Sequence, residues 1–247
     1  MNTNINFSVE ATIGEINNNY YIKENKEVKE LKMKKETKFI VKLMYRIVKR
    51  IIDFIGGIIG TIILIPLTIG IFIANIILKN KGPIFYVQER IGKNGKIFKM
   101  YKFRSMVVGA DEKLDKYLAE NPEAFEEYKV YKKLKDDPRV TRVGDFIRKT
   151  SLDEFPQFIN VLKGQMSLVG PRPYLPREIE DMGDYYSFII KNKPGVTGYW
   201  QVRGRNDITF NERLKMDMDY YNNASLILDL KLIFKTVEKV MKKEGAL

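Results

Sequence analysis

One uncharged stretch limits what the rest of this 247-residue chain can become. Phe54 to Leu78 reads FIGGIIGTIILIPLTIGIFIANIIL, twenty-five residues without a charge. An apolar run of roughly 18 or more residues can cross hydrocarbon as a helix. Pro66 stands near its middle, and proline lacks a helix donor and crowds the preceding turn, so it kinks or breaks the helix there. Each half holds about twelve residues and, at ~1.5 Å per residue, reaches about 18 Å, short of a ~30 Å hydrocarbon core. Both flanks are basic, with Lys42, Arg46, Lys49 and Arg50 before the run and Lys79 and Lys81 after it. Positive flanks favour the cytoplasmic side, so a helix that enters, breaks at Pro66 and returns keeps both clusters inside. A straight span that tolerates its proline, and a buried helix of a soluble protein, are the other readings.

Composition narrows the chemistry. The chain has no cysteine and no histidine. That excludes disulfides, thiolate and imidazole metal sites, cysteine nucleophiles and Ser-His-Asp catalysis. Carboxylates, Lys, Arg, Tyr, Ser, Thr and a hard metal ion remain. The formal net charge is +12, which suits nucleic acid, anionic lipid or a phosphate-bearing substrate. Beside an apolar run the anionic headgroups of a membrane come first, and no nucleic-acid partner is expected.

Residues 1–45 are polar and rich in Asn, Lys and Glu, and read as a disordered or partly helical tail. Lys32 to Arg50 carries eight basic residues against the single acid Glu36, a juxtamembrane pattern that attracts anionic lipid or is simply a solvated charge run. Residues 46–81 form the membrane element and 82–247 a cytoplasmic domain. Within that domain Asn94-Gly95 lies between two runs rich in β-branched and aromatic residues, a hairpin signal. Residues 111–137 read as helix, turn at Asn121-Pro122, and helix. The stretch LDEFPQFINVLK reads as a helix stopped at Gly164. Residues 167–176 and 194–206 read as Gly- and Pro-punctuated loops, and residues 208–221 as a helix. Residues 226–243 form a basic amphipathic helix, suited to a membrane interface or to core packing. The fold class is α+β: a mostly helical, membrane-associated domain with a broken, re-entrant helix and a small β-hairpin.

The densest chemical candidate is Arg148 to Glu154, RKTSLDE. Ser151 followed by Glu154 is a capping-box pattern. A carboxylate such as Asp153 can also attack a phosphoryl group, and carboxylates hold Mg²⁺ together with substrate phosphates. Consecutive helical residues lie ~100° apart, so Asp153 and Glu154 read as two roles rather than a proton-sharing pair. Arg148 could grip a phosphate with its fork. Arg172, fixed between Pro171 and Pro173, Arg203 and Arg205 supply further forks, with Tyr199 and Trp200 nearby for stacking. Lys102 and Arg104 in YKFRSM complete the candidate phosphate ligands.

These segments in this order carry a resemblance. Lys49-Arg50-x-x-Asp53, the proline-broken apolar run, YKFRSM, RKTSLDE, NVLKGQMSLVGPRP and PGVTGYWQVRGRN together resemble the bacterial sugar transferases, the monotopic polyprenyl-phosphate phosphoglycosyl transferases, over about residues 45–247. The resemblance implies transfer of a hexose 1-phosphate from a UDP-sugar to undecaprenyl phosphate with release of UMP, at the cytoplasmic face of the membrane. It implies Mg²⁺ as cofactor and a covalent intermediate on Asp153, with Glu154 as its dyad partner and Arg148 on phosphate. It implies a re-entrant first helix, although some relatives have Ser where Ile65 precedes the proline. Galactose or glucose is favoured, in the first membrane step of exopolysaccharide or capsule assembly. Larger members carry further N-terminal membrane helices, so this chain reads as a catalytic core with a polar tail. The sequence leaves room for a homo-oligomer. The rival reading is a non-catalytic membrane scaffold of a polysaccharide assembly complex, which would have no need of Asp153 and Glu154.

Overall fold

The computed structural model describes residues 3–203 and 208–242, with side chains from Met33 onward. The chain forms two compact units, Met1–Val48 and Lys49–Leu247. The first is helical from Thr3, so the stretch read as disordered or partly helical takes the helical form.

Helix α1 runs from Thr3 to Ile77 with Pro66 inside it. The helix does not end at the proline, as a division into two separate helices would require. Thr68 donates its hydroxyl to the Leu64 carbonyl at 2.7 Å, a bond of the type that bends helices. From Asp53 onward one face of α1 is buried at Asp53, Gly57, Gly60, Leu64, Ile71 and Asn75, the three- and four-residue spacing of one helical stripe. Gly60 permits close packing, since a β-carbon there would lie 2.2 Å from the Phe158 ring. Leu64 and Ile71 share a core cluster with Phe103, Val143 and Ile147. The opposite face leaves Phe54, Ile58, Ile62, Ile65, Ile69 and Phe72 exposed.

Polar side chains fasten both ends of this stripe. Lys49 donates to the Val169 carbonyl and to Asp229 at 2.9 and 2.7 Å. Arg50 donates to the carbonyls of Val161 and Leu162. Asp53 accepts from the Ser167 hydroxyl at 2.9 Å and the Leu168 N–H at 2.8 Å. At the far end Asn80 donates to the Asn75 side chain. Lys49 and Arg50, which the charge pattern assigns to lipid, therefore turn inward.

Strands β1 (Phe85–Ile91) and β2 (Ile97–Phe103) pair antiparallel, Phe85 opposite Phe103 and Ile91 opposite Ile97. Asn94 and Gly95 both take positive φ, 58° and 76°, which is why an Asn-Gly pair closes this turn. Helices α2 (Ala110–Glu120) and α3 (Pro122–Tyr131) meet at Asn121, and α4 (Arg142–Lys149) follows. A 3-10 turn at Leu152–Glu154 precedes α5 (Gln157–Leu162), so the stretch read as one helix is split at Phe155 and Pro156. The segment expected to be loop contains a short strand, β3 (Ser167–Val169), paired in parallel with β4 (Gly195–Thr197). Short helices α6 (Ile179–Met182), α7 (Tyr186–Ile189) and α8 (Tyr199–Arg203) lead to α9 (Phe210–Asn223) and α10 (Leu226–Lys242). Helix α10 buries Asp229 and Leu232 and leaves Ile227, Phe234 and Met241 exposed, so it packs on the core and also presents an apolar face.

Candidate active site

Lys102 sits one residue from the end of β2, and α4 delivers the acidic turn beside it. Thr141 caps α4 by accepting from the Gly144 N–H at 2.9 Å. Gly144 lets α4 touch the strand exit, because a β-carbon there would meet the Ser105 carbonyl oxygen at 1.7 Å. The helix ends at Lys149, and Ser151 two residues on takes φ 58° and makes no side-chain cap bond. The expected Ser151–Glu154 capping box is therefore absent: an N-cap residue needs extended backbone, and Ser151 is left-handed. A capping box forms instead at Thr209 and Glu212 on α9.

The turn places Asp153 and Glu154 on either side of one ammonium. Lys102 Nζ lies 3.9 Å from Asp153 Oδ2 and 3.3 Å from Glu154 Oε1. Burial drives the Asp153 pKa up to about 6; Lys102 opposes the rise, neighbouring Glu154 adds to it and Arg148 opposes it. A nucleophilic carboxylate must be ionised, and a raised pKa leaves more of it protonated as pH falls. An Asp153 nucleophile is thus expected to lose activity as pH drops through about 6, or lower with a cation on the dyad, read from a kcat/KM profile; a profile that stays flat below the ordinary carboxylate range would exclude Asp153 as the titrating nucleophile.

Lys102, Asp153 and Glu154 line a cleft of about 550 Å³ that also takes in Arg148 and Arg172. Among the described residues, neither of these two guanidiniums has a hydrogen bond or ion pair to protein; Arg172 lies 5.0 Å from the Trp200 ring centroid. Arg104 also lines the cleft, but its guanidinium donates to Pro83, Asn80 and Met106. It ties the hairpin to the exit of α1 and has few donors left for a ligand. Arg203 stacks on Tyr199 at 4.6 Å and is not among the cleft residues. Arg205 lies outside the described residues. Trp200 is buried with Arg172 and Arg213 over its ring, so it stacks on arginines.

Four further arginines, Arg90, Arg139, Arg177 and Arg213, line the cleft without a signal in the sequence pattern. Arg90 donates to the Pro173 carbonyl and to Gln88. Arg139 forks onto Asp137 at 2.7 and 2.8 Å. Arg213 donates to the Tyr131 carbonyl. Burial, with Arg172 adding to it, lowers Arg90 and Arg213 to about 10. Two such cations on buried strand and helix positions are a trace that binary patterning could have flagged, since a lone buried charge is costly.

No cluster of three acidic side chains occurs among the described residues. The dyad offers two carboxylates. That donor set suits Mg²⁺, which commonly takes one or two carboxylates and completes its shell with water and substrate phosphate.

The chain belongs to the bacterial sugar transferase family, matched over residues 44–243. It is 45% identical over 207 residues to the undecaprenyl-phosphate galactose phosphotransferase of Salmonella typhimurium, covering 84% of this chain and 43% of that protein. It is 42% identical over 198 residues to the exopolysaccharide production protein ExoY of Sinorhizobium fredii, covering 80% of this chain and 87% of that one. It is 37% identical over 209 residues to the UDP-glucose:undecaprenyl-phosphate glucose-1-phosphate transferase of Escherichia coli, covering 81% of this chain and 42% of that protein. The chain thus spans under half the length of the Salmonella and Escherichia relatives and most of ExoY.

Proposed function

We propose that this chain is a phosphoglycosyl transferase that moves a hexose 1-phosphate, galactose or glucose, from a UDP-sugar to undecaprenyl phosphate. The observation that carries the reading is the Asp153–Glu154 dyad on Lys102, in a cleft with the open guanidiniums of Arg148 and Arg172. The activities for which the Salmonella and Escherichia relatives are named support it.

An Asp153 carboxylate oxygen attacks the phosphorus bonded to the sugar. The bond from that phosphorus to the bridging oxygen breaks, and UMP leaves with the electron pair. An acyl phosphate carrying the sugar remains. An oxygen of the lipid phosphate then attacks the same phosphorus, and the bond to Asp153 breaks and restores the carboxylate. Arg148 and Arg172 hold the donor's phosphates. Lys102 balances the charge of the dyad while Asp153 is ionised. Glu154, closer to Lys102 than Asp153 is, keeps that ammonium at the site. Asp153 and Glu154 would hold Mg²⁺, which supplies countercharge for the diphosphate when bound.

The test is UMP release from UDP-galactose and UDP-glucose with undecaprenyl phosphate in detergent, with and without excess EDTA. Sustained release, beyond the single UMP per enzyme that the acyl phosphate accounts for, is expected to require the lipid phosphate and to stop with EDTA. No release from any UDP-sugar would favour the scaffold, and full turnover in EDTA would reject the metal.

The same reading places the apolar part of α1 in the cytoplasmic leaflet, re-entrant at Pro66. Support comes from the inward stripe: Asp53 near its start and Asn75 near its end are buried against one compact unit, while the outward face is apolar. A helix held along its length on one domain has no free segment to cross the bilayer. Thr37→Cys and Lys81→Cys, in a chain without cysteine, are both expected to resist a membrane-impermeant thiol reagent in intact cells. Labelling of only one would establish a span.

A further inference from the structure

Asp217 lies on α9 with 0% exposure, a segment to which the sequence assigns no chemistry. A buried carboxylate is costly unless its bonds repay the desolvation. Its Oδ2 accepts from the backbone N–H of Arg172 at 3.0 Å and from the Tyr174 hydroxyl at 2.8 Å, while Oδ1 is buried with no partner among the described residues. Burial raises its pKa to about 7, so the carboxylate is held there at a cost.

The bonds converge on Pro171-Arg172-Pro173. Prolines have no N–H, so the Arg172 N–H is the only backbone donor in that tripeptide, and Asp217 takes it. The Arg172 guanidinium itself has no hydrogen bond to protein among the described residues. Its direction is therefore set by its backbone and by the Trp200 ring at 5.0 Å. Helix α9 touches both: Arg213, one turn before Asp217, lies 5.7 Å from the same ring, while Arg90 and the Gly195 N–H hold the carbonyls of Pro173 and Pro171 on either side. Arg172 and Trp200 also line a small recess shared with Lys102 and Glu154, so a shift of this loop would be felt at the dyad.

We infer that Asp217 is a positioning residue, which fixes the Pro-Arg-Pro turn so that the Arg172 guanidinium faces the diphosphate of the donor. The inference rests on the proposed binding of that diphosphate by Arg172. It extends the machinery to a carboxylate that is absent from the cleft lining and reaches the reaction only through that loop.

The experiment is a double-mutant cycle on the full chain in detergent, with UDP as the probe. Kd for UDP is measured by calorimetry, and KM and kcat for UMP release alongside. Asp217→Ala is expected to weaken UDP binding and raise KM by about tenfold, the scale of one lost buried hydrogen bond to a charged group, with kcat within about threefold. Asp217→Asn keeps an acceptor oxygen and should recover most of the loss. Arg172→Ala combined with Asp217→Ala should be no worse than Arg172→Ala alone, because the carboxylate acts through the guanidinium.

Multiplying losses in the double variant would overturn the inference, as would an Asp217→Asn as weak as Asp217→Ala or an unchanged Kd. Should Asp217→Ala not fold, Asp217→Ser is read in the same cycle. Failure of both to fold while Asp217→Asn folds would make the role purely structural. A wild type that binds UDP but releases no UMP would sink the reaction proposed above and leave the positioning role standing. A wild type that binds no UDP overturns it.

Discussion

Asp153→Asn is expected to lower turnover by about a thousandfold or more, about 4 kcal/mol of barrier at ~1.36 kcal/mol per decade. The amide nearly matches the carboxylate in shape but is a far poorer nucleophile. The fold should survive the change, because the raised pKa of Asp153 means that the folded protein already favours the uncharged group. Linkage gives the sign: a carboxyl whose folded pKa lies above its unfolded value costs stability once pH exceeds the unfolded value. Melting temperature at neutral pH should therefore hold or rise slightly. The covalent route is read by incubating the wild type with a UDP-sugar labelled in the sugar, without lipid, then quenching in acid and mapping peptides. Label should sit on the peptide that contains Asp153, with a burst of UMP. An asparagine variant with near-normal turnover would mean direct transfer between the two substrates.

Gly144→Ala is expected to cost about 3 kcal/mol or more, at the upper end of overpacking penalties. The reason is backbone against backbone: the added carbon would lie 1.7 Å from the Ser105 carbonyl oxygen, and no rotamer change relieves that. Helix α4 must move off the end of β2, and with it go Arg148 and the acidic turn that follows. Thermal denaturation in detergent checks the stability, and UDP affinity checks the displacement. A variant that melts within a degree of wild type would show that α4 and the strand exit are not held in contact.

The sequence exposed what local chemistry decides. Asn94-Gly95 closes the hairpin because both residues must take positive φ. Arg148, Asp153 and Glu154 fall in one cleft with Lys102, as their order suggests. What escaped depends on partners far along the chain. Lys49 and Arg50 read as lipid-facing cations, yet Lys49 meets Asp229, 180 positions away. Charge pattern states that a side chain is cationic and says nothing of the acceptor it will meet. Ser151 fits a capping pattern, but the preceding helix ends two residues before it and Ser151 takes a left-handed backbone. Arg104 sits in a motif beside Lys102 and is drawn off by carbonyls at the exit of α1. Pro66 lacks a donor, yet the helix runs through it, so the proline marks a place to bend rather than an end.

The burial of Leu64 and Ile71 among Phe103, Val143 and Ile147 changes what the apolar segment is for. It is ordinarily pictured as a tether that could be cut to liberate a water-soluble enzyme. Here a cut after Leu78 would strip one wall from the core that supports α4 and orphan the Ser167 hydroxyl and Leu168 N–H held by Asp53. The shortest piece with a closed interior begins near Lys49, and it carries its greasy outer face with it. Cutting the segment away for solubility is therefore expected to open the core beneath α4, and an amphiphile over its exposed face is expected to keep the uncut chain in solution.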